Sequence, residues 1–145
     1  MDWSPDGWHL VTGSDDHTAR VWDLRQRRCE YTLPAHSSLI SAVRYEPRAG
    51  RTLVTASYDG SAKVWGTRDW SLLRQLSGHE AKVMCADYAP GGRMLATVSY
   101  DRTLKLWSPS TAALDPMGLP WGATGGDDDD DEEDGDEERE GEDDG

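Results

Sequence analysis

Between residues 9 and 107 the chain alternates short apolar runs with tight polar turns, and no stretch sustains a 3.6-residue apolar period. Runs such as Thr52–Ser57 and Ser61–Trp65, joined at Tyr58-Asp59-Gly60, have the length and the β-branched and aromatic content of strands. Asp suits the turn because its short side chain accepts bonds from nearby backbone N–H groups. The pattern predicts an all-β chain with no helix before residue 108.

The pattern also repeats. Leu10-Val-Thr12-Gly-Ser14-Asp-Asp16 ends in Arg20-Val-Trp22. Leu53-Val-Thr55-Ala-Ser57-Tyr-Asp59 ends in Lys63-Val-Trp65, and Leu95-Ala-Thr97-Val-Ser99-Tyr-Asp101 in Lys105-Leu-Trp107. The three tryptophans lie 43 and 42 residues apart, with Pro5, Pro47 and Pro90, then His36 and His79, in near-constant register with them. A period of about 40–45 residues is that of WD40 propeller blades, four strands each.

Through His36, Ser57, Asp59 and Trp65 in one copy, and His79, Ser99, Asp101 and Trp107 in the next, the repeats resemble the WD-repeat family. The resemblance implies that these side chains form a hydrogen-bonded network inside each blade. The first copy has Ser14, Asp16 and Trp22 but no histidine, its innermost strand being expected upstream of Met1, with Trp3 near that strand's end. After Trp107 the sequence offers no convincing fourth strand. The expected fold is therefore a partial WD40 β-propeller of about two and two-thirds blades, at about 1–34, 35–77 and 78–108. A Pro/Gly-rich linker (109–126) and a disordered acidic C-terminal tail (127–145) are expected to follow. Such a piece reads as the C-terminal part of a longer protein, a truncated gene product, or a chain whose missing blades come from a partner.

Charge sharpens this division. The chain carries −13 in total, but residues 127–145 hold 15 of its 28 acids and a single base, Arg139. Such a run repels itself and has nothing apolar to bury. It reads as a solvated tail, with a lure for a basic partner as the alternative. The remaining 126 residues are near neutral.

Catalytic readings find little support. No Gly-rich phosphate loop, zinc-ligand spacing or nucleophile motif occurs, and Cys29 and Cys85 stand alone, which favours a reducing compartment over a disulfide scaffold. A Ser–His–Asp triad or a His metal site recurring once per blade is better read as structure. The expectations are no enzyme, no cofactor, no metal, no small-molecule substrate and no membrane span.

Three stretches are more particular: Val21-Trp-Asp-Leu-Arg-Gln-Arg-Arg-Cys29 continuing to His36, Gly78-His-Glu-Ala-Lys-Val-Met84, and Ser99–Trp107. Over residues 3–107 they resemble the WD-repeat subunit family of the spliceosomal U4/U6 small nuclear ribonucleoprotein (pre-mRNA-processing factor four). That resemblance implies a nuclear, non-catalytic scaffold of the U4/U6 and U4/U6·U5 particles, acting in pre-mRNA splicing. It would bind other particle proteins and touch U4/U6 RNA indirectly. The acidic tail is a departure from that family.

A rival reading starts from Trp22-Asp23-Leu24-Arg25, similar to the motif by which some WD40 proteins dock on the adaptor of cullin-4 ubiquitin ligases, with Arg25 bonding the adaptor. A third takes Arg25, Arg27, Arg28 and Tyr31 as an RNA contact, weighed against the weak net charge of the body. Candidate partner contacts are His17, Tyr58, Tyr100 and Arg102, which flank the turn aspartates, together with Arg25.

Overall fold

A computed structural model describes residues 1–108 and the backbone of 122–124. The expectations for the rest of the linker and for the acidic tail lie outside the described residues. Three four-stranded antiparallel sheets follow one another along the chain. The first comprises β1 (Asp2–Trp3), β2 (His9–Gly13), β3 (Ala19–Asp23) and β4 (Arg28–Leu33). The second comprises β5 (Ile40–Tyr45), β6 (Thr52–Ser57), β7 (Ala62–Gly66) and β8 (Leu72–Leu76). The third comprises β9 (Val83–Tyr88), β10 (Leu95–Ser99), β11 (Leu104–Ser108) and β12 (Gly122–Thr124). Each sheet is a simple meander, the form of a propeller blade, so the fold is all-β and a partial propeller.

The third sheet corrects one expectation. Its fourth strand is present as β12, pairing Thr124 with Leu106 and Gly122 with Ser108. Three residues that include Gly122 carry no alternating apolar signal, so the strand could not be read from its sequence. Trp3, by contrast, sits where the sequence placed it, paired with Leu10 in β1.

The repeat is also written in the backbone. Left-handed residues recur at fixed offsets from the tryptophans. Gly7, Gly50 and Gly92 fall fifteen residues before them, His17, Gly60 and Arg102 five before, and Arg27 and Trp70 five after. One set of turns therefore builds all three sheets. The register shifts just before Trp22 in β3 and just before Trp65 in β7, so the bulge repeats as well.

The sheets pack face on face, and apolar residues lie at the two junctions. Val11, Ala19, Val21 and Leu33 of the first sheet meet Val43, Tyr45, Leu53 and Trp65 of the second. Val54, Ala62 and Val64 on the other side of the second sheet meet Val83, Tyr88, Leu95 and Trp107. Strand β6, central in the middle sheet, is buried at all six positions because both its faces are covered. Each Val or Leu fully buried this way contributes about 1.5–3 kcal/mol. Polar links cross the same junctions: Ser41 Oγ donates to Val83 O at 2.7 Å, and Tyr45 N to Asp2 Oδ2 at 2.8 Å.

Candidate functional site

Within the middle sheet one relay runs from core to surface. The Trp65 indole N–H donates to Thr55 Oγ1 at 3.0 Å. Thr55 Oγ1 lies 2.8 Å from His36 Nε2, and His36 Nδ1 lies 2.8 Å from Asp59 Oδ2. Indole and carboxylate fix the direction. Trp only donates and an ionised Asp only accepts, so His36 is the Nδ1–H tautomer and its Nε2 takes the threonine hydroxyl proton. The third sheet repeats this with Trp107, Thr97, His79 and Asp101, at 2.9, 2.7 and 2.8 Å. The first sheet keeps the inner part, Trp22 to Thr12 at 3.0 Å.

The relay corrects the place given to the serines. Thr55 and Thr97, not Ser57 and Ser99, stand between histidine and tryptophan. Both hydroxyls share a strand face, so parity does not separate them; distance does. Trp65 is paired with Leu53. Thr55 lies about 7 Å further along the strand and Ser57 about 13 Å, beyond reach of the indole. Ser57 closes the turn instead, donating to Leu39 O at 2.8 Å and accepting from Asp59 N at 3.1 Å. Ser99 does the same with Ala81 O and Asp101 N, and Ser14 accepts from Asp16 N. Asp16 is the turn residue of the first sheet, bonded to Thr18 and 3.5 Å from Arg20, apart from the Trp22–Thr12 pair.

The aspartates clamp two loops together. Asp59 accepts from Ser61 N, Ser61 Oγ and Ser37 N; Asp101 accepts from Thr103 N, Thr103 Oγ1 and Glu80 N. Burial pushes the Asp59 carboxyl up, but the bonds from Ser61 and His36 outweigh it and leave the group below its ordinary range. Asp101, held chiefly by Thr103, lies far below it. Burial also keeps His36 low and neutral against the pull of Asp59. The histidine is therefore a buried structural link, with no open side from which a substrate could reach it.

Those clamps shape the surface above them. Tyr58, Glu80, Lys82 and Tyr100 border an open depression of about 570 Å³ between the second and third sheets. The Lys82 ammonium lies 4.8 Å from the centre of the Tyr58 ring, and Tyr100 is 66% exposed. The structure thus brings Tyr58 and Tyr100 to one site and adds Glu80 and Lys82, which the sequence repeat does not single out because the preceding copy has Ser37 and Leu39 at those positions. His17 and Arg102 occupy the left-handed position of their own turns on the same edge. Arg25 is elsewhere, in the turn after β3 at the opposite end of the strands. Its guanidinium lies over Trp8 at 5.5 Å, and the buried Asp23 carboxylate accepts from the backbone N–H groups of Arg25 and Gln26. Among the described residues no three His, Cys, Asp or Glu side chains gather to hold a metal ion.

Comparison with known proteins agrees with this architecture. One stretch is 51% identical over 39 residues to the coatomer subunit beta'-1 of Arabidopsis thaliana, covering 27% of this chain and 4% of that protein. Another is 43% identical over 53 residues to polyadenylation factor subunit 2 of Gibberella zeae, covering 37% and 9%. A third is 44% identical over 45 residues to the human U5 small nuclear ribonucleoprotein 40 kDa protein, covering 31% and 13%. The chain therefore spans only a small part of the relatives it matches. The WD40 family (WD domain, G-beta repeat) matches residues 1–23, 27–66 and 70–108, and the chain belongs to it.

Proposed function

We propose that this chain is a non-catalytic docking module of a nuclear RNA-processing particle, and in its finer form a scaffold of the U4/U6 small nuclear ribonucleoprotein. The observation that carries the docking role is the Tyr58–Tyr100 depression. Two aromatics, one well exposed, stand beside a cation and an acid on a rigid frame, the vocabulary of protein-binding hot spots. The particle assignment is supported by the Leu24–Cys29 stretch. Two relatives have names belonging to RNA processing, a U5 ribonucleoprotein and a polyadenylation factor. The coatomer relative points instead to the cytoplasm. The test is sedimentation of the tagged protein from nuclear extract, alone and as the Tyr58→Ala/Tyr100→Ala double variant. Co-migration with U4/U6 RNA that the double variant loses, at unchanged melting temperature, supports the reading. Recovery with coated membranes instead overturns it.

A second reading rests on Arg25. Its side chain is exposed, propped on Trp8, and its turn is fixed by Asp23, which suits the cullin-4 adaptor motif. Arg25→Ala would abolish adaptor capture under that reading and leave particle assembly intact under the first.

A further inference from the structure

The two ends of the sheets differ in charge. The strands reverse at one end through the turns at 4–8, 24–27, 46–51, 67–71 and 89–94. At the other they reverse through 14–18, 34–39, 58–61, 77–82 and 100–103. The docking depression lies at this second end, where these turns hold five acids against Lys82 and Arg102. The turns of the first end hold six bases, and all of them are arginine: Arg25, Arg27, Arg48, Arg51, Arg68 and Arg93. Their acids are three, Asp6, Glu46 and Asp69, each accepting a backbone N–H of its own turn. The described body is near neutral in sum and polarised from end to end.

The arginine end is a continuous, solvent-facing rim. A Cβ on Gly50 would come within 2.9 Å of Pro5 Cδ, and one on Gly92 would overlap the Glu46 carboxylate, so the turns of neighbouring sheets touch. All six arginines are exposed. Arg25 lies 3.8 Å from the Asp23 carboxylate, and the other five form no ion pair among the described residues. Trp8 stands on the same rim, 51% exposed, with the Arg25 guanidinium 5.5 Å from the centre of its ring. That exposure belongs to the position. Arg51 occupies the same offset from its tryptophan in the middle sheet and is exposed, although both faces of that sheet are covered.

We propose that this end binds single-stranded RNA, with arginines on successive phosphates and Trp8 stacked on a base. Segregation of charge removes the objection raised by the weak net charge of the body, since a strand on this rim meets the arginines and not the acids of the opposite end. The residue types select the partner. A surface that only attracts anions can use lysine, whereas arginine presents a planar fork to phosphate oxygens and also stacks on bases. An acidic peptide would use the charge and leave the indole idle. The π-face of Trp8 is open to an unpaired base, while the bases of a duplex are stacked on each other. The contact does not rest on the particle assignment. It lies opposite the docking depression, so one chain holds a protein partner at one end and an RNA strand at the other.

The test is fluorescence anisotropy of the 145-residue chain with a labelled single-stranded oligouridine, beside an RNA duplex of the same length. Single-stranded RNA should bind the tighter of the two. Its log affinity should fall against log salt with a slope of about −2 to −4, at about −0.7 for each phosphate neutralised. Trp8→Ala should weaken binding about tenfold at an unchanged slope, because one stacked base is lost. Arg51→Gln/Arg93→Gln should make the slope shallower by about one. Arg20→Gln, which removes the same kind of charge from strand β3 away from this rim, should change neither. Every altered side chain is exposed, so circular dichroism and melting temperature should stay at the parent values. Absence of binding at low salt overturns the proposal, as does a duplex bound as tightly as the single strand. Binding that Trp8→Ala leaves intact overturns it too. So does displacement of the RNA by polyglutamate at equal charge, which would assign the arginines to an acidic protein.

Discussion

The indole N–H of Trp65 ends on Thr55, 3.0 Å from its hydroxyl oxygen, and not on the serine two residues further along the strand. That oxygen also faces His36, so one fully buried hydroxyl satisfies two buried nitrogens at once. Relays of this kind stabilise only when every member has its partner.

Replacing Thr55 by Val keeps the shape and removes the hydroxyl, which leaves an indole N–H and an imidazole nitrogen unpaired. At about 1–3 kcal/mol for each orphaned group, Thr55→Val should cost about 3 kcal/mol in urea unfolding, while Thr55→Ser should cost about 1 kcal/mol or less. Ser57→Ala, which loosens only the turn, should cost about 1 kcal/mol. Equal losses for Thr55→Val and Ser57→Ala would mean the relay is not what holds the blade.

The contrast between these residues shows what was legible in the sequence. Period, strand order and turn aspartates could be read because they recur in register at Leu10, Leu53 and Leu95 and through the three tryptophans. The hydroxyl in the relay could not be chosen, since Thr55 and Ser57 both recur and share a face; only distance along β6 separates them. Strand β12 escaped because Gly122–Thr124 is held by β11 rather than by any propensity of its own. The Tyr58–Tyr100 site was half legible. The tyrosines follow from the repeat, whereas Lys82 and Glu80 come from a loop whose position only the fold supplies.

The left-handed turn position offers a stabilising change. Gly60 adopts φ 87° there without strain, while Arg102 holds φ 67° with a Cβ that disfavours it. Arg102→Gly should therefore raise stability by about 0.5–1 kcal/mol, and Gly60→Ala should lower it by about 1 kcal/mol. Chemical denaturation of the two variants beside the parent checks both signs. A loss on Arg102→Gly would show that the Arg102 side chain contributes more than its backbone costs.

Acid should weaken the fold in two steps. Burial keeps His36 neutral below the ordinary imidazole range, so its link to Asp59 is a hydrogen bond from a neutral imidazole N–H to a carboxylate rather than an ion pair. The unfolded chain takes up this proton near pH 6.5, about the unperturbed value, before the folded chain does. Stability contributed here is present above that pH and is lost as pH falls towards the depressed folded value. Asp59 and Asp101 are likewise depressed, so their contribution is intact above the usual carboxylate range and lost below it. Urea midpoints from pH 8 to pH 3 should fall first below about 6.5 and again below about 4. His36→Gln, which keeps an acceptor and a donor, should shrink the first step and spare the second. A midpoint rising as pH drops from 7 to 5 would contradict the neutral assignment.

Two tyrosines in equivalent strand positions should respond in opposite directions to the same substitution. Tyr45 and Tyr88 are 4% and 8% exposed, each pressed between its own sheet and the preceding one. Tyr88 Oη lies 3.0 Å from Thr52 Oγ1, whereas Tyr45 Oη has no hydrogen-bond partner among the described residues. Burial, with Asp6, Glu30 and Asp2 nearby, pushes the Tyr45 phenol well above its ordinary range, so the hydroxyl stays neutral. An unpaired buried hydroxyl costs about 1–3 kcal/mol, and removing it recovers part of that cost. Tyr45→Phe should thus stabilise the chain by about 1 kcal/mol, while Tyr88→Phe strips Thr52 of its partner and should destabilise it by a similar amount. Urea midpoints at constant slope decide the matter. A loss on Tyr45→Phe would mean that its hydroxyl is bonded, with water in the junction as its partner.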